Sequence, residues 1–393
     1  MQLAFSRVWL VAVAGLVQFS AMGAETAGPQ LRVYIGTYTG PKSQGIYTAE
    51  FNPSTGKLSA PELAAPSRNP TFLALHPRRP LLYAVEETSN SGGRREGAVS
   101  AFAIDEATGK LSLLNQQGSG GAGPCHLCVD KTGNCVLAAN YNSGSIASLP
   151  ILANGGLGAT STVIQHHGSS INRERQSGPH AHFITPAPDN RFALVCDMGL
   201  DKVFGYALAP QPTPTELNTT EPPASLSVKP GSGPRHLAFH PNGRVVYLIN
   251  ELASTISVLS YDAARGALAE VQTISTLPKD FNGSDISAEV QVHPSGRFVY
   301  GSNRGDDSIA VFGVADERTG RLDFVQRQPA LGRTPRHFTF DPTGKWLLVE
   351  NQDSNNIVVF RLDPATGRLT PAGEQIEVGA PVCLVFLAKS PAQ

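Results

Sequence analysis

The chain has 393 residues, of which 16% are charged, well below the usual quarter, while its 39 glycines and 30 prolines suit a β-fold with many tight turns. Lysine plus arginine (31) almost balance aspartate plus glutamate (32), so nothing in the overall charge draws nucleic acid or an anionic membrane surface. The length exceeds one ordinary small core but fits a repeat fold or a large β-domain.

Residues 1–24 read as a secretory signal. Arg7 supplies the positive end, VWLVAVAGLV (Val8 to Val17) is an apolar run too short to span a bilayer, and Ala21, Gly23 and Ala24 are small residues suited to cleavage. No later run is long and apolar enough for a membrane helix. The expected mature protein is therefore soluble, periplasmic or secreted, with no membrane contact after cleavage. Beyond the signal, LRVYIGTYTGPKSQGIYTAEF and PSTGKL read as β-strands and a turn.

A repeat then begins. NPTFLALHP starts at Asn69, GPCHLCVDKTG at Gly123, GPHAHFITPAPDN at Gly178, GPRHLAFHPNG at Gly233 and TPRHFTFDPTG at Thr334. A weaker copy, SAEVQVHPSG, starts at Ser287, and a truncated one, APVCLVF, at Ala380. Each full copy continues through a turn, a β-rich run such as RVVYLINEL, a third strand such as STISVLSYD, a turn such as ATGKL, and a fourth strand. Four short alternating strands per copy, separated by Gly/Pro turns, is the pattern of a propeller blade. Seven copies predict an all-β, seven-bladed propeller over residues 29–389. The last copy supplies only an inner strand, so pairing of the N- and C-terminal segments is expected to close the ring and remove its edges.

The five cysteines are Cys125, Cys128, Cys135, Cys196 and Cys383. Export permits disulfides, but an odd number leaves at least one thiol. CHLC does not read as a metal site, because i and i+3 of a strand face opposite ways and no second Cys/His pair has the required spacing. No metal or other cofactor is expected.

In such a ring the inner strand opens near one mouth of the channel. Taking Pro70, Pro124, Pro179, Pro234, Ala288, Pro335 and Pro381 as anchors, the residues that follow are Thr71, Cys125, His180, Arg235, Glu289, Arg336 and Val382. The second strand ends at Glu87, Tyr141, Met198, Glu251, Arg304 and Gln352, preceded by Glu86, Asn140, Asp197, Asn250, Asn303 and Asn351. Charged groups converging from several blades mark a small-molecule site. GPHAHFITPAPDN is longer than its counterparts, so either His180 or His182 takes the slot held by Arg235, and a bulge must absorb the difference. HHGSSINRERQ (His166 to Gln176) fits no strand and is expected to fold over the mouth as a lid carrying Arg173 and Arg175. The candidate catalytic residues are His180, His182, Arg235, Glu251 and Arg304; Arg175, Arg336 and Glu289 are candidates for binding substrate. Surface or inter-blade ion pairs would also account for Arg336 and Glu289, and structural hydrogen bonding for His126, His236 and His337.

The run RQSGPHAH, then GPRHLAFHP, then Asn250-Glu251, then SNRG at Ser302 to Gly305 resembles the bacterial lactonase family of seven-bladed propellers. That family includes propeller-type 6-phosphogluconolactonase and the fungal carboxy-muconate lactonizing enzyme, and the resemblance covers nearly the whole chain after the signal. It implies a metal-independent hydrolase opening an anionic sugar lactone, with a histidine of PHAH, Arg235, Glu251 and Arg304 in its site. Histidine or glutamate would move protons and arginine would hold the anion. A small-molecule lactone is the expected partner and a monomer the expected state. Two other readings compete. One is a calcium-dependent six-bladed gluconolactonase using Glu86, Asn140, Asp197 and Asn250 as ligands; the other is a binding propeller without catalysis.

Overall fold

The computed structural model describes residues 30–387 except 92, 94, 210–215 and 220–222. The candidate signal lies outside the described residues. Every sheet pairs antiparallel. Six four-stranded blades follow one another, with inner strands opening at Leu73, Pro124, Ala181, Pro234, Ser287 and Pro335. Blade 4 shows the plan: Pro234–Phe239, Val245–Asn250, Thr255–Asp262 and Ala267–Ser275, in that order from the axis outward.

Blade 7 closes the ring. Its inner strand is Pro381–Leu387, which pairs with Leu31–Thr37 in the register Val33↔Phe386, Tyr34↔Val385 and Ile35↔Leu384. The N-terminal strand thus supplies the neighbour that a truncated last repeat lacks, so the inner strand of blade 7 is paired like the others.

The apolar core is divided among the joints between blades. Between blades 5 and 6, for example, Tyr300, Phe338, Leu347 and Phe360 are completely buried, each contributing roughly 1.5–3 kcal/mol by leaving water. Two recurring hydrogen bonds rivet the joints. Tyr34, Tyr83, Tyr247 and Tyr300 donate their hydroxyls to the carbonyls of Gly109, Gly155, Gly320 and Gly367, one blade further on. His76, His240 and His293, from the HP turns, bond through Nε2 to the carbonyls of Gly133, Gly296 and Gly344 in the next blade. Among the described residues, no helix is long and apolar enough to cross a membrane.

Candidate functional site

At the channel mouth the inner strands of blades 2 to 7 start with a β-bulge. In blade 4, Pro234 pairs with Asn250 and His236 with Ile249, so Arg235 is the extra residue. The same shift leaves Cys125, His182, Arg336 and Val382 unpaired in blades 2, 3, 6 and 7. A bulge re-aims side chains, and here it turns two consecutive residues of the inner strand into the channel. The recurring Gly-Pro has a related cause. Gly123 and Gly233 take φ of 63° and 66°, the left-handed region that glycine enters without penalty. Their carbonyls then accept from the amides of Tyr141 and Glu251.

This register settles two assignments. His180 is the counterpart of Gly233, since its carbonyl accepts from Met198 N, and His182 therefore holds the slot of Arg235. Ala181 pairs with Asp197 as Pro234 does with Asn250, so the two extra residues of this copy are Gly178 and Pro179, which precede the repeat position. In blade 5 the alignment is corrected by one residue: Ser287, not Ala288, pairs with Asn303, so Ala288 takes the Arg235 slot and Glu289 the slot of His236. The missing proline at Ser287 hid that shift.

The second strands bring Glu251 and Arg304 to the same mouth. Glu251, 3% exposed, is the hub. Its Oε2 lies 3.0 Å from both Arg235 Nε and Arg304 Nη2, and its Oε1 lies 2.6 Å from Arg175 Nη2. Arg235 also donates to the Ala288 carbonyl and Arg304 to that of Ser287, both at 2.9 Å. Burial alone would push the Glu251 carboxyl up, but Arg304 and Arg235 foremost hold it well below the usual carboxylate range. Burial pulls Arg304 down to about 9, against the pull of Glu251.

Arg175 comes from the predicted lid. Asn172 Oδ1 accepts from the amides of Glu174 and Arg175, and Gln176 is anchored on the Met198 carbonyl at 2.9 Å. This tight turn sends Arg175 inward to Glu251 and Tyr141, while Arg173 stays exposed.

The opposite side of the mouth carries Arg336, whose Nη2 donates to Tyr38 Oη at 3.1 Å. Tyr38 in turn donates to Glu87 at 2.9 Å, and Thr71 Oγ1 donates to the same carboxylate at 2.5 Å. Tyr38 is a residue of this mouth that the sequence reading missed. It is the seventh second-strand end, supplied by blade 7, and counting the closing strand into the repeat would have found it.

His180 stacks on Tyr141 at 4.4 Å between ring centres and bonds through Nδ1 to the Tyr141 carbonyl at 2.9 Å. A carbonyl only accepts, so the Nδ1 of His180 carries the proton. His182 is buried with Nδ1 3.9 Å from Cys125 Sγ; burial and the charge of Arg235 hold it neutral. Burial pushes the Cys125 thiol far up, which removes it as a nucleophile. All five cysteines are free thiols.

Beneath the mouth, the next residue of each inner strand forms a second ring containing His126, His236, Glu289 and His337. His236 Nδ1 lies 2.8 Å from Glu289 Oε2, and His337 Nδ1 lies 2.5 Å from Glu350 Oε2. These histidines face one another across the channel, with the rings of His126 and His236 5.4 Å apart. Of the residues considered as calcium ligands, Asp197 bonds to His166 Nδ1 at 2.6 Å and Glu86 accepts from Gln116 Nε2, while Asn140 and Asn250 donate through Nδ2 to Ser119 and Ser257. Among the described residues, no three His, Cys, Asp or Glu side chains converge as a metal site would require.

Comparison with known proteins gives a consistent result. Residues 32–386 match the family model described as "Lactonase, 7-bladed beta-propeller". The chain is 38% identical over 354 residues to a 6-phosphogluconolactonase of Bacillus subtilis, covering 90% of this chain and 97% of the relative. It is 32% identical over 349 residues to a 6-phosphogluconolactonase of Formosa agariphila, covering 88% and 96%. The solved structure of a periplasmic gluconolactonase from Pseudomonas aeruginosa superposes with a TM-score of 0.85 at 32% identity, covering 92% and 99%.

Proposed function

Because the chain belongs to the family of seven-bladed β-propeller lactonases, we propose that its arginine-lined mouth hydrolyses an anionic sugar lactone of the 6-phosphogluconolactone type, without a metal, outside the cytosol. The observation that carries this reading is the charge of the mouth. Arg175, Arg235, Arg304 and Arg336 face the carboxylates of Glu251 and Glu87, an excess of two positive charges in a partly desolvated recess. A phosphate or carboxylate on the substrate supplies the missing negative charge and meets planar donors suited to it. The export reading of residues 1–24 and the periplasmic relative support the location.

Ring opening needs a water that loses a proton, a stabilised carbonyl oxygen, and a proton for the departing alkoxide. Arg235 and Arg304 grip the anion or meet the oxyanion, with Arg175 and Arg336 completing the grip. Glu251, held ionised by three guanidinium groups, aligns them and is a poor proton donor. An imidazole therefore carries the proton; the inner strand of blade 3 brings His180 and His182 to the mouth, and that of blade 4 carries His236 just beneath it. The deciding test is a pH-stat assay of purified protein on 6-phosphogluconolactone, gluconolactone and a carboxylated muconolactone, with and without EDTA. Turnover of an anionic lactone unchanged by EDTA is expected. If no lactone opens faster than in buffer, the mouth is a binding site and the catalytic reading falls.

A further inference from the structure

Neither mouth histidine has a carboxylate behind its ring: His180 is backed by the Tyr141 carbonyl and His182 by the Cys125 sulfur. His236 does. Its Nδ1 lies 2.8 Å from Glu289 Oε2, and its Nε2 is buried with no hydrogen-bond partner. A buried ring nitrogen left alone in this way calls for a water or a substrate atom. His236 also lines a small cavity, together with Arg235, Arg336, Thr71, Glu87 and His337, whose room of about 10 Å³ is that of a single water.

Resting on the lactonase reading above, we propose that His236, oriented by Glu289, takes the proton of the attacking water, and that this water occupies the cavity between Arg235 and Arg336. With Glu289 ionised, the Nδ1–H of His236 donates to Oε2 and Nε2 presents its lone pair. The water's proton passes to Nε2 as its oxygen bonds to the lactone carbonyl carbon, and the carbonyl π pair moves onto oxygen beside the guanidinium groups. Collapse restores the carbonyl, breaks the ring C–O bond, and the alkoxide takes the proton back from Nε2. Atoms and protons balance, with no other reactant. His236 is then a catalytic residue, and Glu289 a positioning residue that sets its tautomer.

The groups facing this pair agree with that tautomer. Arg235 on the same strand, His182 from blade 3 and His126 from blade 2 disfavour a charge on His236, which burial already keeps neutral. Burial pushes Glu289 up to about 7, with Glu350 of blade 6 adding to it and His337 and Arg235 opposing it. The buried Cys383 thiol of blade 7 stays uncharged. Activity should accordingly rise as Glu289 ionises, because its protonated form would donate to Nδ1 and place the proton on Nε2.

The test compares wild type, Glu289→Gln and His236→Gln with 6-phosphogluconolactone and gluconolactone between about pH 5 and 8, alongside calorimetric binding of 6-phosphogluconate and nitrogen-15 imidazole shifts. Expected are a loss of about 10²–10⁴-fold in kcat with product affinity unchanged, a rising limb near neutrality that Glu289→Gln abolishes, and a wild-type His236 protonated on Nδ1 at the upper pH. Variants with wild-type kcat and pH profile overturn the pairing while the lactonase reading stands. Absence of turnover by wild type overturns both. Should His236→Gln not fold, the tautomer decides, since a proton on Nε2 of wild-type His236 at the upper pH is incompatible with the proposal.

Discussion

Glu251→Gln tests the mouth most directly. The substitution keeps the shape and one acceptor oxygen but removes the only charge that Arg235, Arg304 and Arg175 share at 2.6–3.0 Å, and it sets an amide NH₂ against guanidinium donors. Stripping one partner from a buried ion pair costs about 3–5 kcal/mol, because the remaining charges stay desolvated. Unfolding entropy of roughly 2.1 cal/mol/K per residue over a ring of this size converts that into a fall of about 4–7 °C in Tm. Phosphate should restore much of it, since an anion at about 100 times its Kd contributes roughly 2.7 kcal/mol; wild type, already neutralised by Glu251, should gain less. The pH dependence carries the same signature. The folded pKa of Glu251 is depressed, so its contribution is fully present above the unfolded value near 4.3 and is lost as pH falls below it. Differential scanning fluorimetry of both proteins, with and without phosphate at neutral pH and near pH 3.5, reads all three effects. A variant melting within about 1 °C of wild type, with equal phosphate response, would falsify the reasoning.

Three further outcomes follow from the geometry. Arg175→Ala should raise KM for an anionic lactone about tenfold with little change in Tm, because Arg175 sits on the lid turn and is partly exposed; Arg235→Ala, whose guanidinium is buried, should raise KM and lower Tm together, and steady-state kinetics beside melting curves separate the two. Glu289 has a folded pKa raised to about 7, so its contribution is fully present below about pH 4.3 and is lost as pH rises through 7; between pH 5 and 8, denaturant titrations should show wild type losing on the order of 3 kcal/mol more than Glu289→Gln, and parallel curves would contradict the burial argument. Tyr247→Phe should cost about 1–3 kcal/mol by orphaning the Gly320 carbonyl while leaving kcat untouched, as urea unfolding and the pH-stat assay would register.

The ring itself was legible in the sequence. Strand period, Gly/Pro turns and the sevenfold recurrence of one motif are local properties, and a truncated last repeat beside unmatched N-terminal strands implies closure because an open edge would be left otherwise. Arg235, Glu251 and Arg304 were also legible, since they are ionisable residues at repeat positions the strand pattern does not require. What the sequence left open were questions of register and of neighbours from distant blades. A bulge adds one residue without changing the alternation on either side of it, so His182 could not be told from His180, and Glu289 was read one place too near the mouth. Tyr38 reaches Arg336 across 298 positions of chain, and His236 meets Glu289 across 53. Whether a carboxylate stays ionised, as Glu251 does among three guanidinium groups, or is pushed toward neutrality, as Glu289 is by burial, depends on solvent exclusion and on charges from other blades. Only the closed ring, in which seven inner strands share one channel, brings those charges together.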